Sequence, residues 1–158
     1  MTTSNGKTTL GVGAIAGLVG GVASWIYELV VWVHFLHLKK DAYDLVASSA
    51  SLAFGDATAS WPAAMQFLVG AGVHLATSIV WGIAFAVIWP FFRRRQIEAT
   101  LVALFFGIFA WIIMHNVVLA AFAPNPPSYT TYSVLNGFVS HTFTFSVPIA
   151  LVVKRWLR

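Results

Sequence analysis

The sequence has no cysteine and very little charge. The absence of cysteine excludes disulfide bonds, thiolate metal sites and cysteine nucleophiles. Only 9% of the residues are charged and 59% are hydrophobic, whereas soluble domains carry about 25% charged residues. Disordered chains are rich in charge and poor in apolar side chains, which is the opposite composition. A water-soluble globule and a disordered chain are therefore both excluded.

Apolar residues are concentrated in four long runs, which define the predicted fold. The runs cover residues 10–38, 63–92, 99–122 and 132–153. Each exceeds the ~20 residues that a helix needs to cross the hydrocarbon core of a membrane. Polar, arginine-rich or proline-rich connections separate them. The sequence thus predicts an all-α, integral membrane four-helix bundle that forms a single transmembrane domain over residues 1–158.

Basic residues indicate the orientation of this bundle. Lys39 and Lys40 lie between the first and second runs, and the other seven Lys and Arg residues lie on the opposite side of the membrane. Because Lys and Arg are enriched on the cytoplasmic side, both termini are predicted to be cytoplasmic. The net charge of +4 comes from residues that flank the runs. The expected partner is therefore the lipid bilayer and not a nucleic acid.

The outer connection, residues 39–62, contains a further helical pattern. Tyr43, Val46, Ala50 and Phe54 recur at helical spacing. A short amphipathic helix on the outer surface accounts for this pattern. An irregular connection rich in Ser and Ala is the alternative.

Each run contributes one ionisable residue at a similar depth in its outer half. These residues are Glu28, His74, His115 and His141. An ionisable side chain in a membrane span is costly and usually faces the bundle interior or a cavity. At a rise of about 1.5 Å per residue, all four lie roughly 10–17 Å below the outer boundary. One such residue from each of four helices, in one layer, predicts a single cluster.

Small residues of the first run lie on the same face as Glu28. They are Gly13, Gly17, Gly21 and Ser24. This small-xxx-small pattern lets a neighbouring helix approach closely. His34 and His37 lie near the outer end of the same run, and His37 is about half a turn out of phase with Glu28. We expect these two histidines at the interface and outside the cluster.

Three imidazoles and a carboxylate are typical ligands of transition metals. The first hypothesis is therefore a metal site, with zinc or iron bound by the four clustered residues. Residues that can orient the ligands lie nearby on the same helices. They are Thr77, Asn116 and Thr144.

Three other hypotheses explain part of the pattern. The cluster can be a hydrogen-bonded polar layer that fixes helix register without a metal. His74 with His115 or His141 can ligate haem b, and single histidines can ligate a pigment. Glu28 and the histidines can also relay protons from the outer face. Apart from Glu98, however, no ionisable residue continues that path through the inner half.

Beyond single residues, the chain resembles the YagU-like family of small bacterial inner-membrane proteins, whose activity is undefined. The likeness rests on GLVGGVASWIYE (17–28), VHLATSIVWGIAFAVIWP (73–90), the segment from His115 to the prolines 126–127, residues 132–141 and the tail KRWLR. The resemblance implies a multi-pass protein of the bacterial inner membrane, with the four clustered residues at family positions. It implies no reaction.

The predicted function is metal binding in the outer half of the bundle, in a structural or sensory role and with no catalytic residue assigned. The alternative is an accessory subunit of a larger membrane complex that holds haem or pigment, because glycine-lined faces suit a partner as well as internal packing. An enzyme with an open metal position is the third possibility. A homo-oligomer is compatible with each of them.

Overall fold

The computed structural model describes residues 8–37, 39–123 and 130–157, and these residues contain helices and no β-strand. The first helix, α1, is Thr9–Glu28 and continues as a π-helix, Leu29–Phe35; α2 is Ala42–Phe54, followed by a 3-10 turn, Gly55–Ser60; and α3 is Ala63–Arg94. Helix α4 comprises Ala99–Ile113, a π-helix Met114–Val118 and Leu119–Phe122. Helix α5 comprises Thr131–Val139, a π-helix Ser140–Phe145 and Ser146–Trp156.

Four of these helices are long and apolar enough to cross a membrane: α1, α3, α4 and α5, with spans of 27, 32, 23 and 26 residues. Their outward faces carry large apolar side chains, such as Leu68 at 69% and Phe105 at 67% exposure. Ser24, Ser140 and Ser146 are buried inside the bundle instead. This distribution suits a membrane, in which apolar side chains on the outside of the bundle face the lipid chains. The prediction of an all-α, multi-pass membrane bundle is confirmed.

The ends of the spans differ from the predicted ends by a few residues. Helix α1 ends at Phe35, before the predicted residue 38, which lies outside the described residues. His37, with φ 50°, adopts the left-handed conformation that often follows a helix end. Helices α3 and α5 extend past their apolar runs into basic residues, because Lys and Arg are good helix formers and favourable in a last turn.

The outer connection contains a helix, α2, that packs on the bundle. Asp41 caps it by accepting a hydrogen bond from the Asp44 N–H at 2.8 Å. The predicted apolar face is wrong in part, because Tyr43 and Phe54 are exposed. The buried residues are Leu45, Val46, Ala47 and Ala50. This face is selected by contact with α3, where Gly70 lets the α2 backbone approach so closely that a methyl group would lie 3.3 Å from Cα of Ala47.

Gly13, Gly17 and Gly21 of α1, here called the glycine stripe, lie against α3. A methyl group at Gly13 would lie 2.6 Å from Cα of Ile83, and one at Gly17 would lie 2.7 Å from Cα of Ile79. Both distances are shorter than any ordinary carbon contact. The two backbones therefore meet without side chains between them.

The apolar core occupies the end of the bundle where α1 begins and α5 ends, here called the terminal end. Phe85 of α3 and Phe106 of α4 pack edge to face there, with ring centroids 5.1 Å apart. Ile149 of α5 is fully buried in the same cluster. The opposite end, here called the α2 end, holds the intramembrane histidines and the cavity described next.

Candidate intramembrane binding site

A cavity of about 330 Å³ lies between the long helices at the α2 end. The four residues predicted to cluster, Glu28, His74, His115 and His141, all line it. Helix α2 contributes further lining residues: Leu45, Ser48, Ser49, Leu52 and Ala53. The cavity is therefore bounded by every span and by α2.

Three of the four spans change from α-helix to π-helix beside this cavity. Glu28 is the last residue before the π-helix of α1, whereas His115 and His141 are the second residues of those in α4 and α5. A π-helix contains an extra residue per turn and occurs frequently at functional sites. The wider turn is visible in the bond from the Leu36 N–H to the Val31 carbonyl at 2.8 Å. The sequence pattern gave no sign of these segments.

His115 and His141 are neighbours, with ring centroids 5.5 Å apart and planes inclined by 76°. Each ring donates from Nδ1 to a carbonyl one turn earlier, His115 to Trp111 at 2.9 Å and His141 to Gly137 at 2.8 Å. A carbonyl oxygen only accepts hydrogen bonds, so each Nδ1 carries the hydrogen. In the neutral ring, Nε2 is then the atom with the lone pair.

His74 lies on another wall and is held by α1. Its Nε2 donates to the Gly21 carbonyl at 3.1 Å, and its ring stacks on Trp25 with centroids 4.3 Å apart. The lone pair of the neutral ring is therefore on Nδ1. Ser78 fixes the same turn of α3 by donating to the His74 carbonyl at 2.8 Å.

Glu28 is tied to α5 through a residue that sequence reasoning missed. Ser140 Oγ donates to Glu28 Oε1 at 3.1 Å, and Ser140 directly precedes His141. This bond brings the Glu28 carboxyl group to the level of the His141 turn. One residue earlier, Tyr27 OH donates to Oδ1 of the buried Asn136. A serine in an apolar run does not by itself indicate a functional residue. The one signal that could have identified Ser140 is its position next to His141.

The residues expected to orient the ligands have different positions. Thr77 lines the cavity. Thr144 is not a lining residue and donates to the Ser140 carbonyl of its own helix at 2.8 Å. Asn116 is exposed and donates to the Ile112 carbonyl at 3.0 Å. Among the described residues, the side-chain hydrogen bonds of Glu28 and the three histidines are therefore made with backbone carbonyls and with Ser140.

No three His, Asp or Glu side chains within residues 8–37, 39–123 and 130–157 come close enough together to hold a metal ion. His115 and His141 are adjacent, whereas His74 is bonded to α1 and Glu28 to Ser140. The four residues share a cavity wall, but they do not form a preassembled ligand set.

Comparison with protein-family models, with curated proteins and with solved structures finds no match for the chain. The resemblance to the YagU-like family therefore stays a prediction, based on the segments quoted above.

Proposed function

We propose that this protein binds a transition-metal ion, zinc or iron, in the cavity beneath α2, in a structural or sensory role. The ligands are Glu28, His74, His115 and His141. The observation that carries the proposal is that these four residues, one from each span, line the same cavity.

The hydrogen bonds of the histidines support metal binding. Metal-ligating histidines almost always donate their other ring N–H to a carbonyl or carboxylate, which fixes the tautomer. His115 and His141, the adjacent pair, each make such a bond to a backbone carbonyl of their own helix. Two imidazoles on one tetrahedral zinc ion have ring centroids about 5 Å apart, given Zn–N distances of about 2.0–2.1 Å. The His115–His141 separation of 5.5 Å is close to that spacing.

Binding requires Glu28 and His74 to turn toward the histidine pair. This movement exchanges the bonds to Ser140 and Gly21 for bonds to the metal. A typical hydrogen bond contributes about 1 kcal/mol net, whereas structural zinc sites bind with roughly 10–16 kcal/mol. The loss of two hydrogen bonds is therefore small beside the gain. Metal binding is accordingly coupled to a change in the contacts between α1, α3 and α5.

The proposed location is the bacterial inner membrane, with both termini in the cytoplasm. The distribution of Lys and Arg supports this orientation, because only Lys39 and Lys40 lie at the α2 end. In this orientation the metal cavity lies in the outer half of the bundle. The resemblance to the YagU-like family supports the choice of membrane.

The test is elemental analysis of the purified protein after incubation with Zn²⁺ or, separately, anaerobic Fe²⁺, followed by desalting. We expect about one metal ion per chain. His115→Ala and His141→Ala, which remove the adjacent pair, should each abolish stoichiometric binding. Glu28→Gln keeps the side-chain size but removes the carboxylate, so it should weaken binding by more than the ~10–100-fold typical of outer-shell changes. His34→Ala is the matched control, because His34 is exposed at the same end of α1.

A metal-free parent under both conditions would refute the proposal and favour the hydrogen-bonded polar layer. Equal loss in His34→Ala and His141→Ala would show binding to surface histidines and would also refute it. A Soret absorption band that disappears with His115→Ala or His141→Ala would instead support the accessory subunit with haem b. Metal retained only by the parent and the control would identify the cavity as the site.

A further inference from the structure

A second groove lies at the terminal end, far along the spans from the histidines. It encloses about 890 Å³ between the end of α3, the beginning of α4 and the last turns of α5. The residues that line it include Trp89, Arg93, Glu98, Leu151, Lys154 and Arg155. Because its charged residues lie at or beside the ends of membrane spans, we place the groove near the level of the lipid head groups.

The groove has more positive than negative charge. Lys154 pairs with Glu98 at 2.8 Å, which neutralises one cation. Arg93 donates to the Leu157 carbonyl at 2.7 Å, a bond that orients the guanidinium without neutralising it. Within the part of the chain that the structure describes, the Arg155 side chain makes no hydrogen bond or ion pair. Two positive charges are therefore available to an anion.

A buried donor without an acceptor lies in the same groove. Trp89 is 4% exposed, and its Nε1 has no hydrogen-bond partner among the described residues. A buried N–H without an acceptor costs about 1–3 kcal/mol. Basic side chains at a span end are explained by membrane orientation alone, but an unsatisfied donor beside them is not. An anion that reaches this side of the groove would supply the missing acceptor.

We propose that this groove binds the phosphate group of an anionic phospholipid. Phosphate oxygens accept hydrogen bonds from guanidinium groups and from an indole N–H. Leu151, which is 54% exposed beside the groove, offers an apolar surface for the acyl chains. Basic pockets between membrane helices are known to bind lipid head groups in this way. The groove does not share any lining residue with the metal cavity, so the two proposals are independent.

The experiment is a lipid titration of the full chain in detergent, followed by native mass spectrometry. The probe is phosphatidylglycerol, and phosphatidylcholine with the same acyl chains is the comparison. A Lys or Arg near a membrane surface contributes about 1 kcal/mol, so Arg155→Gln should weaken phosphatidylglycerol binding about five-fold. Arg95→Gln is the matched control, because it removes the same charge at the same end. Arg95 lies outside the groove, with its guanidinium 3.6 Å from the Phe91 ring centroid.

Trp89→Phe keeps an aromatic side chain and removes the donor together with part of the fused ring, so it should weaken binding several-fold. Circular dichroism confirms that each variant is folded. Equal weakening by Arg155→Gln and Arg95→Gln would show unspecific attraction to a basic surface and would overturn the proposal. Phosphatidylcholine binding as tightly as phosphatidylglycerol would also overturn it. Full competition by glycerol phosphate would show that the groove takes a free phosphate ester, which would exclude the lipid as its specific ligand.

Discussion

The close contact between α1 and α3 predicts that the same substitution, glycine to alanine, changes the free energy of unfolding in opposite directions at two positions. Gly17 lies in the glycine stripe, where a methyl group would be 2.7 Å from Cα of Ile79 and 2.8 Å from the Ser78 carbonyl carbon. Gly72 lies in α3 and has no other atom within 4 Å of the position that a methyl group would take. Replacing each glycine by alanine therefore compares a crowded helical position with an open one.

The magnitudes follow from packing and backbone entropy. Alanine within a helix is about 0.5–1 kcal/mol more stable than glycine, so Gly72→Ala should stabilise the protein by that amount. At Gly17 the two helices must separate locally by roughly 0.7 Å to restore an ordinary carbon contact, and such a gap forfeits a quarter to a half of each contact energy along the seam. Overpacking of this kind costs about 1–3 kcal/mol. Gly17→Ala should therefore be destabilised by about 1–2 kcal/mol after the helix gain is included.

Equilibrium unfolding in mixed micelles, followed by circular dichroism, measures both variants against the parent. The difference between the two variants isolates the steric cost, because both gain the same helix propensity. Equal stabilisation of Gly17→Ala and Gly72→Ala would show that the stripe does not contact α3, and the arrangement of α1 beside His74 would then be wrong. Gly17→Leu should be more severe than Gly17→Ala, since a longer side chain displaces more of α3.

Two further predictions concern the ends of the bundle. In intact cells a membrane-impermeant maleimide should label Ala59→Cys, which lies in the exposed segment after α2. It should label Gln96→Cys, between α3 and α4, only after the cells are permeabilised. The reverse pattern would invert the proposed orientation, and the parent protein has no cysteine that could react. At the terminal end, the hydrogen bond from Lys154 and its charge lower the pKa of Glu98. The ion pair therefore stabilises the folded protein at pH values above the unfolded-state pKa of about 4.3, and this stability is lost as the pH falls through the lower pKa of the folded state. Glu98→Gln should accordingly be slightly less stable than the parent at neutral pH and as stable as the parent in acid. The difference should shrink in high salt, because both side chains of the ion pair are exposed. A difference in stability that persists in acid would show that loss of the ion pair does not cause it.

The fold could be predicted because membrane insertion imposes a simple physical requirement on each span. Four apolar runs of sufficient length leave few alternatives to a helical bundle. The apolar face of α2 was harder to predict. Tyr43 and Phe54 match the helical spacing, but both are exposed, because Gly70 of α3 selects which side of α2 the bundle covers. Such a choice depends on a partner helix that periodicity within α2 does not include.

Four residues of the cavity wall could be singled out from the sequence, but their mutual arrangement could not. Ionisable residues at equal depth in four spans pointed to Glu28 and the three histidines. Their hydrogen bonds depend on the π-helical segments, which rotate the following side chains relative to a regular α-helix. Assignments of helix faces based on 3.6 residues per turn do not include this rotation. Thr144 and Asn116 were chosen for their proximity to His141 and His115 along the chain, and that proximity does not determine whether a side chain bonds to its own helix instead.

The glycine stripe and the cavity are connected through His74. Gly21 ends the stripe, and its carbonyl accepts the hydrogen bond from His74 Nε2. A methyl group at Gly21 would lie 2.6 Å from Ser78 Oγ, the group that donates to the His74 carbonyl. Close approach of α1 and α3 is therefore what lets the backbone of one helix orient an imidazole on the other. A substitution that separates the helices should disturb His74 as well as stability, even though it removes no polar group from the cavity.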